Sequence, residues 1–214
     1  MLKTNNKASK VAEFLLKIKA IKLQPNDPFK WASGWNSPVY CDNRKTLSYP
    51  EIRSFIKDCF CEDISAKYGS PDLIAGVATG GIAIGALVAE KMNLPFCYVR
   101  AKAKAHGLNN SIEGEIIKGQ NVVVIEDLIS SGNSSLSAVK DLRAAGLNVV
   151  GMAAIFSYGF QIAKENFENA NCKLFTLSDY SSLLREAVKT NFISKDMISS
   201  LEEWRNSPST WNNL

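Results

Sequence analysis

The sequence has a single histidine, His106, and it lacks a C-x-x-C pair and a long apolar run. One histidine cannot form a histidine cluster for a metal ion, and the odd number of cysteines, 5, favours reduced thiols over a disulfide framework. The apolar runs are too short for a membrane span or a signal peptide. We therefore expect an unprocessed cytoplasmic protein that does not associate with membranes.

An excess of charge of one sign is also missing. The 25 lysines and arginines are balanced by 21 acidic residues, and the formal charge of +4 is spread along the chain. This balance does not indicate a nucleic-acid surface, whereas an anionic small molecule remains possible as a ligand. With 214 residues and 46% hydrophobic side chains, the chain is long enough for one substantial core, so we expect a single domain over residues 1–214.

Short apolar runs alternate with helical patterns from residue 72 onward. Continuous apolar strands that alternate with helices are typical of a parallel sheet covered on both faces. The expected fold class is therefore α/β, with a mainly parallel central sheet flanked by helices, in a core over about residues 49–190. The predicted strands are 73–78, 96–100, 121–126, 149–156 and 173–177, and the predicted helices between them are 82–92 and 134–145.

Three further segments surround this core. Residues 7–20 have apolar side chains at helical spacing, and a second helix is expected to begin after Ser48 and to end near Gly69. Between them, residues from about 20 to 48 are rich in aromatic side chains and turn formers, and they predict a small irregular lobe, called the hood below. A last helix is expected over about 193–205, with no preferred packing surface.

The segment 121–135 carries the clearest functional pattern. A buried strand ends in two acids and is expected to turn through two apolar residues into small hydroxyl residues at the start of a helix. Small residues let backbone N–H groups and the helix N-terminus surround a phosphate, whereas the acids suit sugar hydroxyls or water-bound Mg²⁺. The pattern predicts a ribose 5-phosphate site; the alternative is an ordinary helix cap after a solvated strand end. The residues assigned to this site are Glu126, Asp127, Leu128, Ile129, Ser130, Ser131, Gly132, Asn133 and Ser134.

A second loop between a strand and a helix lies at 76–85. The backbone of Thr79, Gly80 and Gly81 is expected to wrap a diphosphate at the N-terminus of the helix. Glycines at such a turn also permit close packing, so this segment alone is a weak indication. A long polar connection at 101–119, basic at its start, is typical of a functional flap.

These segments resemble the type I phosphoribosyltransferases, whose signature is a hydrophobic strand, two acids, two apolar residues and a small-residue phosphate loop. Residues 99–114 are similar to the mobile catalytic loop of the orotate phosphoribosyltransferases. The resemblance implies that Arg100, Lys104 and His106 are catalytic and contact the diphosphate of phosphoribosyl diphosphate (PRPP).

Two details of the loops depend on the same resemblance. The family often has a lysine directly after the arginine, but this chain has Ala101, and Lys102 is either its substitute or a solvated loop lysine. The resemblance also implies that the 79–81 loop holds pyrophosphate, commonly through a non-proline cis peptide.

The hood is similar to that of the orotate enzymes, in which a Ser-Gly-x-x-Ser-Pro segment leads into the strand that covers the base. Tyr40 and Cys41 occupy the base-covering positions and, with Ser130, are assigned to orotate; simple hood packing is the alternative for the first two. Family members frequently carry a lysine just before the Ser-Gly, where this chain has Ala32 and, two residues earlier, Lys30.

The segment after Phe156 departs from the family. Many members place an arginine there that grips the orotate carboxylate, but this chain continues with residues 157–160, Ser-Tyr-Gly-Phe. The carboxylate partner is therefore unassigned, and Ser130 or hood backbone amides are the alternatives.

The resemblance implies transfer of the 5-phosphoribosyl group from PRPP to orotate, with Mg²⁺ as cofactor. The ion is expected to bind the diphosphate, ribose hydroxyls and water, without a direct protein ligand. A homodimer is also implied, in which each flap reaches the neighbouring subunit's site, and no nucleic-acid partner is expected. The alternatives are a purine phosphoribosyltransferase and a non-catalytic regulator that senses PRPP.

Overall fold

The structure, a computed structural model, describes residues 4–31, 34–100 and 111–211. Short 3-10 helices occupy Asn43–Ser48 and Lys195–Met197. The other elements, in chain order, are α1 (Thr4–Lys17), β1 (Ile21–Leu23), β2 (Phe29–Lys30), β3 (Asn36–Ser37), β4 (Val39–Cys41), α2 (Pro50–Tyr68), β5 (Leu73–Val77), α3 (Gly80–Met92), β6 (Phe96–Val99), β7 (Ile112–Glu113), β8 (Asn121–Ile129), α4 (Asn133–Ala144), β9 (Asn148–Ser157), α5 (Gln161–Asn169), β10 (Leu174–Asp179), α6 (Tyr180–Lys189) and α7 (Ile198–Asn206).

The central sheet contains six strands in the order β10-β9-β8-β5-β6-β7. All neighbouring pairs are parallel except β6 and β7, which run antiparallel at one edge. Parallel neighbours require crossover helices, and those helices cover both faces of the sheet. The expected α/β class with a mainly parallel sheet is confirmed.

Side chains of the central strands alternate between two apolar layers. Val123 and Ile125 of β8 face the layer formed with α1, α2, α3, α6 and α7, whereas Val122 and Val124 face the layer formed with α4 and α5. All four side chains are completely buried, which explains why the strand has no polar residue between Asn121 and Glu126.

The hood consists of two small antiparallel pairs. Strand β1 pairs with β4, so that Ile21 lies opposite Cys41, and β2 pairs with β3, so that Lys30 lies opposite Asn36. Helix α1 ends at Lys17, three residues before the predicted end at residue 20, and β1 follows from Ile21.

The C-terminal helix packs against the hood, which the sequence did not indicate. A 3-10 turn precedes α7, and the Trp204 side chain of this helix is completely buried. Its ring contacts four other aromatic rings with centroid distances of 5.3–5.6 Å. These are the rings of Trp31, Tyr158, Phe160 and Tyr180.

Two other expectations for the core need correction. Strand β8 was predicted to end at Glu126, but it continues to Ile129 because β9 runs beside it as far as Ser157. The helices α5 and α6 were not predicted.

No helix among the described residues is long and apolar enough to cross a bilayer.

Candidate active site

The two predicted phosphate-binding loops meet at one edge of the sheet. Strands β5 and β8 are parallel neighbours, so their carboxyl ends lie side by side, and each leads through a loop into a helix. Ligands of open α/β sheets bind at this edge. A cavity of about 290 Å³ lies between the loops, called the ribose-phosphate cavity below. It is lined by Ala78, Thr79, Gly80, Glu126, Asp127, Leu128 and the residues 130–135.

The 79–81 loop approaches β8 too closely for side chains. A Cβ atom added to Gly80 would lie 2.2–2.4 Å from the carboxylate atoms of Asp127, and one on Gly81 would lie 2.3 Å from the carbonyl oxygen of Ile125. Gly81 is therefore required by the packing of the loop against the strand backbone, whereas a side chain at position 80 would displace the Asp127 carboxylate. The peptide bond between Ala78 and Thr79 is cis.

The Glu126 carboxylate already has donors within the protein. It is 6% exposed, and its two oxygens accept hydrogen bonds of 2.9 Å from the Ser135 hydroxyl and from the Asp127 backbone N–H. The less buried Asp127 carboxylate is therefore the more accessible of the two acids in the cavity. The sequence prediction stopped at Ser134 and missed Ser135, although a second hydroxyl residue after Gly132 was a visible signal.

The two acids share a poorly hydrated environment. Burial, followed by the charge of Asp127, raises the pKa of Glu126 to about 8. Burial also raises the pKa of Asp127, while hydrogen bonding to Glu126 and the charge of Arg44 act in the opposite direction. Ionising both acids together is therefore unfavourable without a ligand, and hydroxyl donors or a cation would stabilise the ionised form.

The loop after β8 leaves the start of α4 open to a ligand. Gly132 is the N-cap, with φ of 81°, and no side chain caps the helix. A Cβ on Gly132 would lie 2.6 Å from the Phe167 ring, so both the backbone angle and the close contact require glycine. The Asn166 amide donates to the Ser131 carbonyl at 2.9 Å and fixes the loop from α5. These features differ from an ordinary hydroxyl cap and leave backbone N–H groups for a phosphate.

One assigned residue is restricted by its burial. The Ile129 side chain is completely buried in the apolar layer beside α4, so it can reach a ligand only through its backbone. Leu128, by contrast, lines two cavities.

A second cavity, of about 320 Å³, lies on the hood side and is called the base cavity below. It shares Leu128 and Ser130 with the ribose-phosphate cavity, so the two adjoin. Tyr40 and Cys41, both assigned to the base from the sequence, line it. Its described lining residues are Lys30, Trp31, Tyr40, Cys41, Leu128, Ser130 and Tyr158.

Tyr158 was not assigned to the site from the sequence. It lies in the segment 157–160, where the family arginine is missing. Its ring stacks on that of Phe160, with the ring centroids 5.4 Å apart. Burial raises the pKa of the Tyr158 hydroxyl well above its ordinary value, so the group stays neutral. No local sequence pattern places this side chain beside the hood.

Asn43 connects the hood to the acids and was also missed. Its buried amide donates to the Asp127 carbonyl oxygen at 2.6 Å, and its amide oxygen accepts from the Cys41 thiol at 3.2 Å. Burial raises the pKa of Cys41 well above its ordinary value, which keeps this thiol protonated as a donor. These two hydrogen bonds connect the hood strand β4 to the end of β8.

The proposed flap begins at a defined position. Arg100 lines a third cavity, of about 320 Å³, together with Asn133 and Ser134, and its guanidinium lies 3.3 Å from the Glu113 carboxylate. The catalytic assignments to Lys104 and His106, and the possible role of Lys102, fall outside the described residues, as do Ala101 and Ala32.

Comparisons with known proteins agree with this geometry. Residues 45–181 match the phosphoribosyl transferase domain family. The chain is 54% identical to the orotate phosphoribosyltransferase of Cytophaga hutchinsonii, over 96% of this chain and 99% of the relative. It is 56% identical to that of Phocaeicola vulgatus, over 94% of each chain. The crystal structure of the orotate phosphoribosyltransferase from Aeropyrum pernix matches with a TM-score of 0.71 at 27% identity, over 82% of this chain and 98% of that chain.

Proposed function

The chain belongs to the orotate phosphoribosyltransferase family, and from this premise we infer that it transfers the 5-phosphoribosyl group of PRPP to N1 of orotate. The products are orotidine 5′-phosphate and diphosphate, and the reaction belongs to pyrimidine biosynthesis. The observation that carries this inference is the pair of adjoining cavities, one suited to a ribose phosphate and one to a planar base, which share Leu128 and Ser130.

The residues of the two cavities have separate roles in this reaction. The open N-terminus of α4 binds the 5-phosphate, and the Asp127 carboxylate accepts hydrogen bonds from the ribose hydroxyls. The base cavity holds orotate beside C1′ of the ribose. Catalysis then depends on positioning the two substrates and on stabilising the positive charge that develops on the ribose ring and the negative charge on the leaving diphosphate.

Magnesium fits the chemistry of the site. Two buried carboxyl groups with raised pKa values lie together at the ribose-phosphate cavity, and a hydrated divalent cation would favour their ionised forms. When bound with PRPP, the ion supplies positive charge that stabilises the departing diphosphate. Glu126 and Asp127 would hold it through water rather than by direct coordination.

A spectrophotometric assay tests the activity and its metal requirement together. When PRPP, Mg²⁺ and protein are mixed with orotate, the orotate absorbance is expected to fall, and EDTA is expected to abolish the change. Adenine and hypoxanthine serve as control bases. Transfer to either purine without consumption of orotate would indicate a purine phosphoribosyltransferase, and no transfer to any base would indicate the non-catalytic regulator.

We propose that the flap acts across a homodimer, with Lys104 of one subunit contacting the diphosphate in the other. In that arrangement, a Lys104→Ala subunit and a Gly80→Ala subunit, each impaired alone, form one intact site when they pair. Random reassociation of equal amounts then restores about a quarter of wild-type activity, because half of the dimers are mixed and each has one working site. If the mixture shows only the sum of the two separate activities, the flap does not act across subunits.

A cytoplasmic location is also proposed. The five cysteines are all free thiols, which suits a reducing compartment. Cell fractionation tests this proposal, since the protein should accompany cytoplasmic marker enzymes.

A further inference from the structure

We propose that Lys30 recognises the carboxylate of orotate and takes the role of the arginine that is missing after Phe156. This inference rests on the proposed function, and it concerns the base cavity alone. Orotate differs from a neutral pyrimidine by one carboxylate, so a protein that prefers orotate needs a positive charge or strong donors near that group.

Lys30 supplies the only charge among the described lining residues of the base cavity. The others are aromatic, aliphatic or neutral polar side chains. Cys41 and Tyr158 do not add a negative charge, because burial raises the pKa of each well above its ordinary value. An anionic base entering this cavity therefore meets one cation and otherwise neutral surfaces, and Ser130 can add a hydrogen bond but no charge.

The backbone at Lys30 is held firmly at this position. Strand β2 places Lys30 opposite Asn36 on β3, and its two neighbours in sequence are anchored by ring contacts. The Phe29 ring lies 5.6 Å from that of Tyr40, and the Trp31 ring lies 5.3 Å from that of Tyr158. These contacts position the backbone of Lys30 beside the base cavity.

The charge of Lys30 is also available to bind an anionic ligand. Within the described part of the chain, Lys30 forms no ion pair, whereas other cations near the site are already partnered. The guanidinium of Arg44 lies 2.7 Å from the Asp42 carboxylate, and Arg100 is paired with Glu113 at a different cavity.

The position of Lys30 favours the base over the phosphate. Lys30 lines the base cavity and is not among the described residues that line the ribose-phosphate cavity. Its side chain is exposed, so its attraction for a carboxylate is partly screened by water and salt. Lys30 is therefore expected to control the affinity for the base more than the affinity for PRPP.

Steady-state kinetics of Lys30→Ala tests this assignment. The KM for orotate is expected to rise about tenfold, which corresponds to the loss of one partly screened charge-assisted contact. The KM for PRPP and kcat should change little, because the contact is equally strong in the ground and transition states. Lys30→Arg should restore most of the affinity, and Lys17→Ala, which removes an exposed lysine of α1 that does not line the cavity, is the matched control.

A neutral analogue separates charge recognition from a change in cavity shape. The methyl ester of orotate, used as a competitive inhibitor, should bind wild type and Lys30→Ala with the same Ki. Raising the salt from about 0.05 M to about 0.5 M should raise the KM for orotate in wild type but not in Lys30→Ala.

Two results would overturn the assignment. An unchanged KM for orotate in Lys30→Ala, with wild type active, would reject Lys30 as the carboxylate partner and leave the proposed function intact. Equal losses of affinity for orotate and for its methyl ester would show that Lys30 acts through shape rather than charge. If wild type itself consumed no orotate, the proposed function and the Lys30 assignment would both fail.

Discussion

Gly80→Ala is expected to lower kcat/KM about a hundredfold while the protein remains folded, because displacing a positioned group by about an ångström can cost that much. A Cβ on Gly80 would lie 2.2–2.4 Å from the Asp127 carboxylate atoms, so the carboxylate must move from its position in the ribose-phosphate cavity. Gly80 is the first residue of α3, where alanine does not disturb the helix. Steady-state kinetics and thermal unfolding measure the two effects separately.

A double-mutant cycle identifies the cause of this loss. Asp127→Ala alone should reduce activity to a similar degree, and adding Gly80→Ala to it should cost little more, since there is no longer a carboxylate to displace. If Gly80→Ala costs the same hundredfold in the Asp127→Ala background, the loop acts on the diphosphate directly and not through Asp127.

Trp204→Ala is expected to destabilise the protein by about 3–5 kcal/mol, the usual cost of removing a large buried aromatic side chain. The Trp204 ring is completely buried and contacts Trp31, which lines the base cavity, at a centroid distance of 5.6 Å. Losing this support should also raise the KM for orotate. Urea unfolding gives the first quantity, and kinetics below the unfolding transition give the second.

Two variants calibrate the Trp204 result. Trp204→Phe should cost less, because it keeps an aromatic ring and removes an indole N–H that is buried without a partner among the described residues. Phe192→Ala removes a half-exposed ring on the loop before α7 and should change stability by no more than about 0.5 kcal/mol. A loss in Phe192→Ala as large as in Trp204→Ala would show that the C-terminal segment contributes through general burial rather than through the aromatic contacts with the hood.

The α/β class and the loop that forms the candidate ribose-phosphate site were predictable because both depend on neighbours in sequence. Apolar runs such as 122–125 indicate strands buried on both faces, and the two acids, the glycine and the hydroxyl residues follow within ten consecutive positions, 126–135. The strand boundary was less predictable: β8 continues three residues past Glu126 because β9 pairs with it, and pairing depends on a partner strand.

The amino-acid sequence by itself therefore determined which residues are candidates for binding a ribose phosphate. The tertiary structure decided which other residues fix their positions and which side chains lie beside them. The Asn43 amide reaches the Asp127 carbonyl across 84 positions of sequence, and Trp31 meets Trp204 from the opposite end of the chain. Lys30 and Tyr158 likewise share a cavity only because the hood folds over the end of the sheet. Such contacts arise from the packing of separate elements, so the local spacing of residues does not predict them. The candidate phosphate loop, by contrast, is formed by consecutive residues, so its pattern can be recognised in the sequence.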